Sequence, residues 1–206
     1  GDTNEGHVAG QVKVRASGPR IEQARSTFRV NGIPLDRVLS LFQEKPVLSG
    51  WLTTSGKLQA EFERAGLAVG AIASRQPIQI LVRDGRIYNV PVISTLLSVM
   101  NLPAVLQGQV DLDKDGLSLD RLKLVFSISN GVIHAKEFLL DSPILKISGT
   151  GRYDLLADDF DMVLATSPLG SYSAMLKRIP LFGQLLGGDR QGFDSPVFDL
   201  KGSAKN

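Results

Sequence analysis

The chain contains no cysteine, which excludes disulfides, thiolate metal sites and a cysteine nucleophile. That composition suits an oxidising compartment such as a periplasm without requiring one. Histidine is nearly absent as well: there are two, His7 in a polar N-terminal lead-in and His134 in a hairpin arm. No sequential spacing therefore supports a histidine-based triad or metal pair. Gly-x-Ser-x-Gly, P-loop and Gly-x-Gly-x-x-Gly patterns are missing too, and the sequence is read as non-catalytic, with no cofactor. No apolar run approaches the roughly 20 residues of a membrane-spanning helix, the longest being 66–73, and no signal peptide is visible. Nor does one charge dominate. With 23 basic and 21 acidic residues the net charge is +2, too balanced and scattered for a nucleic-acid footprint.

What the chain has in quantity is apolar side chains, 43% of 206 residues. That is enough to bury a core as one large domain, or as two lobes at 11–107 and 108–206. The chain begins Gly1-Asp2-Thr3 without methionine, so 1–206 is taken as one fragment of a longer polypeptide that carries the targeting information elsewhere.

The clearest pattern lies in 117–165. Leu122, Leu124, Phe126 and Ile128 alternate with Arg121, Lys123, Val125 and Ser127, the period of a strand with one wet face. Asn130-Gly131 accepts the positive φ values of a two-residue hairpin turn, so 132–140 is predicted to return antiparallel beside 123–129. Segments 145–155 and 160–165 repeat the operation around Asp141-Ser142-Pro143 and Ala157-Asp158-Asp159. Upstream, Val12 and Val14, then Ser26, Phe28 and Val30, then Leu52, Leu58, Ala60 and Phe62, then Ile78, Ile80 and Val82 alternate in the same way. Asp84-Gly85 reads as a further hairpin turn before a return through 87–90, and Val110 and Leu112 as a short strand opposite Leu117 and Leu119.

Helical spacing occurs at Leu35, Val38, Leu39 and Phe42, and again at Ile93, Leu96, Leu97, Met100 and Ala104. The small residues of 64–74 suggest a third, tightly packed helix. The segment 168–188 crowds bulky apolar residues around Lys177, Arg178 and Pro180; a core-packing helix pair and a membrane-surface element both fit it. The fold class expected is mainly β with α: a curved, mostly antiparallel sheet forming an open groove, with three or four short amphipathic helices.

Two acidic features have ordinary readings. Asp111-Leu112-Asp113-Lys114-Asp115-Gly116 starts like a calcium loop, but the closing bidentate acid that such a loop needs is replaced by Leu122. Asp159 and Asp161 alternate with Phe160 and Met162 as solvent-facing strand residues do, and with Asp154 and Asp158 they make a solvated face.

From about Trp51 onward the chain resembles the C-terminal domain of the AsmA-like family, which comprises AsmA-, TamB- and YhdP-like members, with the YhdP-like pattern nearest. The residues that carry the resemblance are Asp115 to Leu122 (DGLSLDRL), Ile128 to Val132 (ISNGV), Asp141-Ser142-Pro143, Ile147 to Leu155 (ISGTGRYDL), Pro168 and Ile179 to Gly188 (IPLFGQLLGG). The resemblance implies a Gram-negative envelope protein, periplasmic and anchored in the inner membrane, whose curved β-groove carries phospholipid toward the outer membrane. On that reading acyl chains contact Leu122, Leu124, Phe126, Ile128, Phe138, Phe160, Met162 and Leu164. Tyr172, Leu176, Lys177, Arg178, Ile179, Phe182 and Leu185 would then sit at a membrane surface. The partners implied are phospholipid acyl chains, a membrane surface and other envelope proteins, and no nucleic acid. The alternative is a scaffold that supports outer-membrane protein assembly through exposed strand edges.

The missing closing acid gives a direct test: calorimetry with calcium is expected to show no micromolar binding, and binding that Asp113→Ala abolishes would overturn this reading.

Overall fold

Asn130 and Gly131 take φ values of 51° and 76°, which lets a two-residue turn match the twist of the strands it joins. It connects β6 (Leu117–Ser129) to β7 (Val132–Asp141), with Ser129 opposite Val132. The computed structural model describes residues 6–42, 47–63, 66–88, 116–143, 145–167 and 197–203. The same hairpin logic builds outward from that turn. β8 (Lys146–Asp154) returns along β7, and β9 (Asp159–Ser167) along β8. β10 (Val197–Ser203) closes the series beside β9. On the other flank, β1 (His7–Ser17), β2 (Arg20–Pro34), β3 (Leu48–Glu63) and β5 (Ile78–Ile87) lead into β6.

The ten strands among the described residues belong to one antiparallel sheet, nine of them in the order β1-β2-β3-β5-β6-β7-β8-β9-β10. β4 (Gly66–Ser74) pairs with residues 58–63 of β3, whose residues 48–55 pair with β5. The sheet is curved and does not close on itself. Nine strands abreast at ~4.8 Å make it roughly 40 Å across.

Side-chain parity is conserved along this path through a bulge. On β3 the apolar positions Leu48 and Leu52 have the same parity. On β5 they change from Ile78, Ile80 and Val82 to Ile87, and on β6 from Leu117 and Leu119 to Leu122 and Leu124. The change falls at Asp84-Gly85, where β5 carries one more residue than β3 and Asp84 takes φ 51°. β6 carries the matching extra residue, so its pairing with β5 is unshifted. A β-carbon on Gly85 would lie 2.0 Å from the carbonyl oxygen of Ser49; only glycine lets β3 pass this close.

The packed core sits at one end of the sheet. Val82, Leu117, Leu119, Leu140, Leu145 and Ile147 are buried there, together with Leu35 of α1 (Leu35–Leu39). Pro34 precedes α1 and Asp36 stands in its first turn, as suits a helix N-terminus. Val38 and Leu39 pack against the same cluster.

Three expectations need correction. Residues 66–74 form β4, not a helix: the second half of β3 has backbone groups to satisfy, and β4 satisfies them with Leu58 opposite Ser74 and Ala60 opposite Ile72. Asp84-Gly85 is a bulge inside β5 and not a hairpin turn, because the strand continues to Ile87 opposite Leu117. The first helix stops at Leu39, where the apolar surface beneath it ends; Leu41 and Phe42 are exposed. α1 is the one helix among the described residues. The predicted helix at 93–104, the strand at 110–112, the acidic loop 111–115 and the 168–188 segment lie outside the described residues.

Gly85→Ala is expected to lower unfolding free energy by about 1–3 kcal/mol in urea titrations, the usual cost of overpacking. Gly10→Ala, whose new β-carbon would come no closer than 3.4 Å to the Thr27 carbonyl oxygen, is expected to stay within about 0.5 kcal/mol of the parent.

Candidate functional site

Because neighbouring strands are in register, side chains of one parity line up in rows across the sheet. In one row Ile80 is followed by Leu124, Phe138, Gly149, Leu164 and Phe198. In the next, Ile78 is followed by Phe126, Ala135, Gly151, Met162 and Leu200. A third row runs Val82, Leu122, Leu140, Ile147. A fourth pairs Ile128 with Ile133 and continues through Tyr153 to Phe160. All eight residues expected to contact acyl chains, Leu122, Leu124, Phe126, Ile128, Phe138, Phe160, Met162 and Leu164, therefore share one face. The same face extends over Phe28 on β2 and Val8, Val12 and Val14 on β1.

Exposure is graded along this face. Val82 and Leu117 at the α1 end are 0% and 2% exposed. Leu164 is 5% exposed and belongs to the packed core. Leu122, Leu124, Phe126, Ile128, Phe138, Phe160 and Met162 are half-buried. At the β1 edge Val12 is 65% exposed. Gly149 and Gly151 keep the middle of the face low: a β-carbon on Gly149 would fall 2.4 Å from Leu164 Cδ2, and one on Gly151 2.7 Å from Met162 Cγ. The side chains of β9 thus lean over β8, leaving a shallow apolar surface with no polar group standing up from it at those two positions.

The opposite face is mainly polar, although Trp51, Leu81, Val125, Val163 and the buried Leu139 also lie on it. Lys123 Nζ bonds both carboxylate oxygens of Glu137 at 2.8 Å. Asp141 joins Arg121 at 3.2 Å and Lys146 at 2.9 Å, linking three strands. Lys201 reaches Asp161 at 3.4 Å across the β9–β10 pair. Ions of opposite sign on neighbouring strands favour this register, though part-exposed pairs contribute little each. At the β8–β9 turn, Asp154 accepts from the backbone N–H groups of Ala157 and Leu156, which holds its carboxyl below the ordinary range. That contribution is present above the usual carboxylate range and is lost as pH falls through the depressed value. Tyr153 donates its phenolic hydrogen to Asp158, which raises the tyrosine's pKa.

Among the described residues no group of three or more His, Asp or Glu side chains is placed to hold a metal ion, and no helix is long and apolar enough to cross a membrane. Tyr172, Leu176, Lys177, Arg178, Ile179, Phe182 and Leu185 lie outside the described residues. Sequence reading missed β10, although Phe198 and Leu200 alternate with Asp199 and Lys201, a four-residue signal that was present. It also missed that Ile78 and Ile80 sit in the same rows as Phe126 and Leu124, a pairing of strands joined through 88–116. No protein-family model matches the chain, and neither a curated protein nor a solved structure does.

A double-mutant cycle with Lys123→Ala and Glu137→Ala is expected to give a coupling of about 0.2–1 kcal/mol, as for other part-exposed pairs; a value several times larger would place this pair in the structural core.

Proposed function

We propose that the chain is a non-catalytic lipid-binding segment of a bacterial envelope protein, which takes phospholipid acyl chains on the apolar face of its sheet and passes them between inner and outer membranes. One observation carries the reading: apolar rows run in register from β5 to β10, half-buried over most of their extent. An apolar face of this extent on an open sheet marks a ligand or partner surface. An acyl chain is the ligand chemistry that needs no directional contact, and the face offers none at Gly149 and Gly151. Each Leu, Ile or Phe that a chain covers contributes roughly 1.5–3 kcal/mol. The AsmA-like resemblance supplies the setting: the periplasm of a Gram-negative bacterium, with the full-length protein anchored in the inner membrane.

A second reading, a scaffold for outer-membrane protein assembly, is favoured by one feature. β1 is exposed along all 11 of its residues, and an open strand edge can accept a strand from another protein.

Native mass spectrometry of the purified chain is expected to show co-purifying phospholipid, and Phe126→Asp or Met162→Asp to reduce its occupancy sharply. A photo-crosslinking residue at Phe126 is expected to capture lipid while one at Lys123, on the polar face, does not. Equal capture at both positions, or none at Phe126 in folded protein, would favour the scaffold.

A further inference from the structure

The polar face carries two different charge arrangements. On β6 to β10 Arg121, Lys123, Lys146, Arg152 and Lys201 stand beside carboxylates, as in the Arg121, Asp141 and Lys146 group. On β1 to β3, among the described residues, only Arg15 does. Register places Lys13, Arg15, Arg20, Arg25, Arg29 and Lys57 on this face, with Glu61 the one carboxylate it places among them. Arg15 reaches Glu22 at 3.6 Å. Among the described residues, no carboxylate pairs with Lys13, Arg25, Arg29 or Lys57. Lys13 lies directly opposite Arg25, and like charges facing each other across a strand pair oppose the pairing. Lys57 is one strand further and diagonal to Arg25, through Thr27 and Gln59. All four are exposed.

The same region holds an open depression of about 650 Å³ whose walls include Gln11, Thr27, Arg29, Ser55, Lys57 and Gln76. A second, of about 250 Å³, adjoins it and shares Arg29 and Ser55. Both are floored by strand backbone and lined largely by hydroxyl, amide and cationic groups, with Pro77 in the lining of the first and Leu81 in that of the second. A hollow of this size accommodates a phosphate-bearing headgroup with its oxygens among Arg29, Lys57 and Thr27.

We propose that the polar face of β1 to β3 docks on an anionic phospholipid bilayer, with Lys13, Arg25, Arg29 and Lys57 meeting its phosphates. This stands apart from whatever occupies the apolar face. Charge complementarity fixes the sign of the partner, and the composition of the patch selects a bilayer over an acidic protein. Protein interfaces are anchored by buried aromatic or aliphatic side chains. Between these cations the face presents Ala9, Gln11, Thr27, Ser55 and Gln59, which offer no such anchor; the apolar side chains nearest on this face, Leu81 and the exposed Trp51, stand toward the β3–β5 side, away from Lys13 and Arg25. A spread of exposed cations without one matches a fluid surface of negative charge, where each basic residue adds to the attraction and none needs a fixed partner.

Sedimentation with phosphatidylcholine vesicles, with and without phosphatidylglycerol, tests the proposal on the whole chain. Binding is expected to require phosphatidylglycerol and to fall steeply when salt is raised from about 0.1 M to about 0.5 M, as screening shortens the reach of exposed charges. Replacing Lys13, Arg25, Arg29 and Lys57 by Gln is expected to weaken it more than tenfold. The pair Lys13→Gln, Arg25→Gln is expected to weaken it more than the charge-matched pair Arg152→Gln, Lys201→Gln on the same face, with circular dichroism unchanged in both. Equal binding to pure phosphatidylcholine would assign attachment to apolar contacts and overturn the proposal. Equal loss in the two matched pairs would reduce it to net charge and overturn it also. Capture of poly-glutamate without capture of phosphatidylglycerol vesicles would replace the bilayer with an acidic polypeptide.

Discussion

Keeping side-chain parity in step from strand to strand is the constraint on which this sheet depends. The period of a strand is two, so a slip of one residue in any strand would carry its whole apolar set to the wet side. Four strands contain an extra residue and still keep step. β5 and β6 carry theirs together. β7 gains one near Lys136 relative to both neighbours, so Ala135 and Phe138 fall on the same face although their numbers differ in parity. β2 gains one at Asn31-Gly32, where Gly32 takes φ 62°, and Ile33 thereby lands opposite Leu52. These insertions bend and twist the strands locally without exchanging the faces.

Chain connectivity gives the apolar face two unlike ends. Tight turns at Gly18-Pro19, Asn130-Gly131 and 155–158 occupy one end. At the other, α1 and the turn that holds Leu145 lie over the ends of β5 to β8, and there the burial is complete. The stability of the fold is concentrated at that end, where each of several fully buried side chains is worth more than any part-exposed ion pair on the opposite face. The remaining rows are held by the sheet's backbone pairing and leave their side chains accessible. A sealed end beside an accessible face allows an apolar ligand to bind without unfolding what supports it.

The polar face divides across the strands instead. Its C-terminal half pairs most of its cations with carboxylates, and its N-terminal half pairs Arg15 alone among the described residues. The sheet has therefore one apolar surface and one surface of uneven charge, and its two edges, β1 and β10, remain unpaired with each other.

By itself the sequence determined the period-two alternation, the hairpins from β6 to β9 and the membership of the apolar face in that stretch, because turn chemistry and side-chain period are local properties. Asn130-Gly131 could be read from two residues, and Leu122 to Ile128 from seven. The sequence also contained Phe198 and Leu200, but four alternating positions are too few to outweigh the base composition around them. Only the tertiary structure decided three matters. Residues 66–74 became a strand because β3 had an edge to complete, which their small side chains do not announce. Asp84-Gly85 became a bulge because its flanking residues pair with β3 and β6 instead of with each other; the same dipeptide serves either geometry. Lys13 and Arg25 became neighbours because β1 and β2 pair in one register out of several, and like charges twelve positions apart carry no local sign that they will meet.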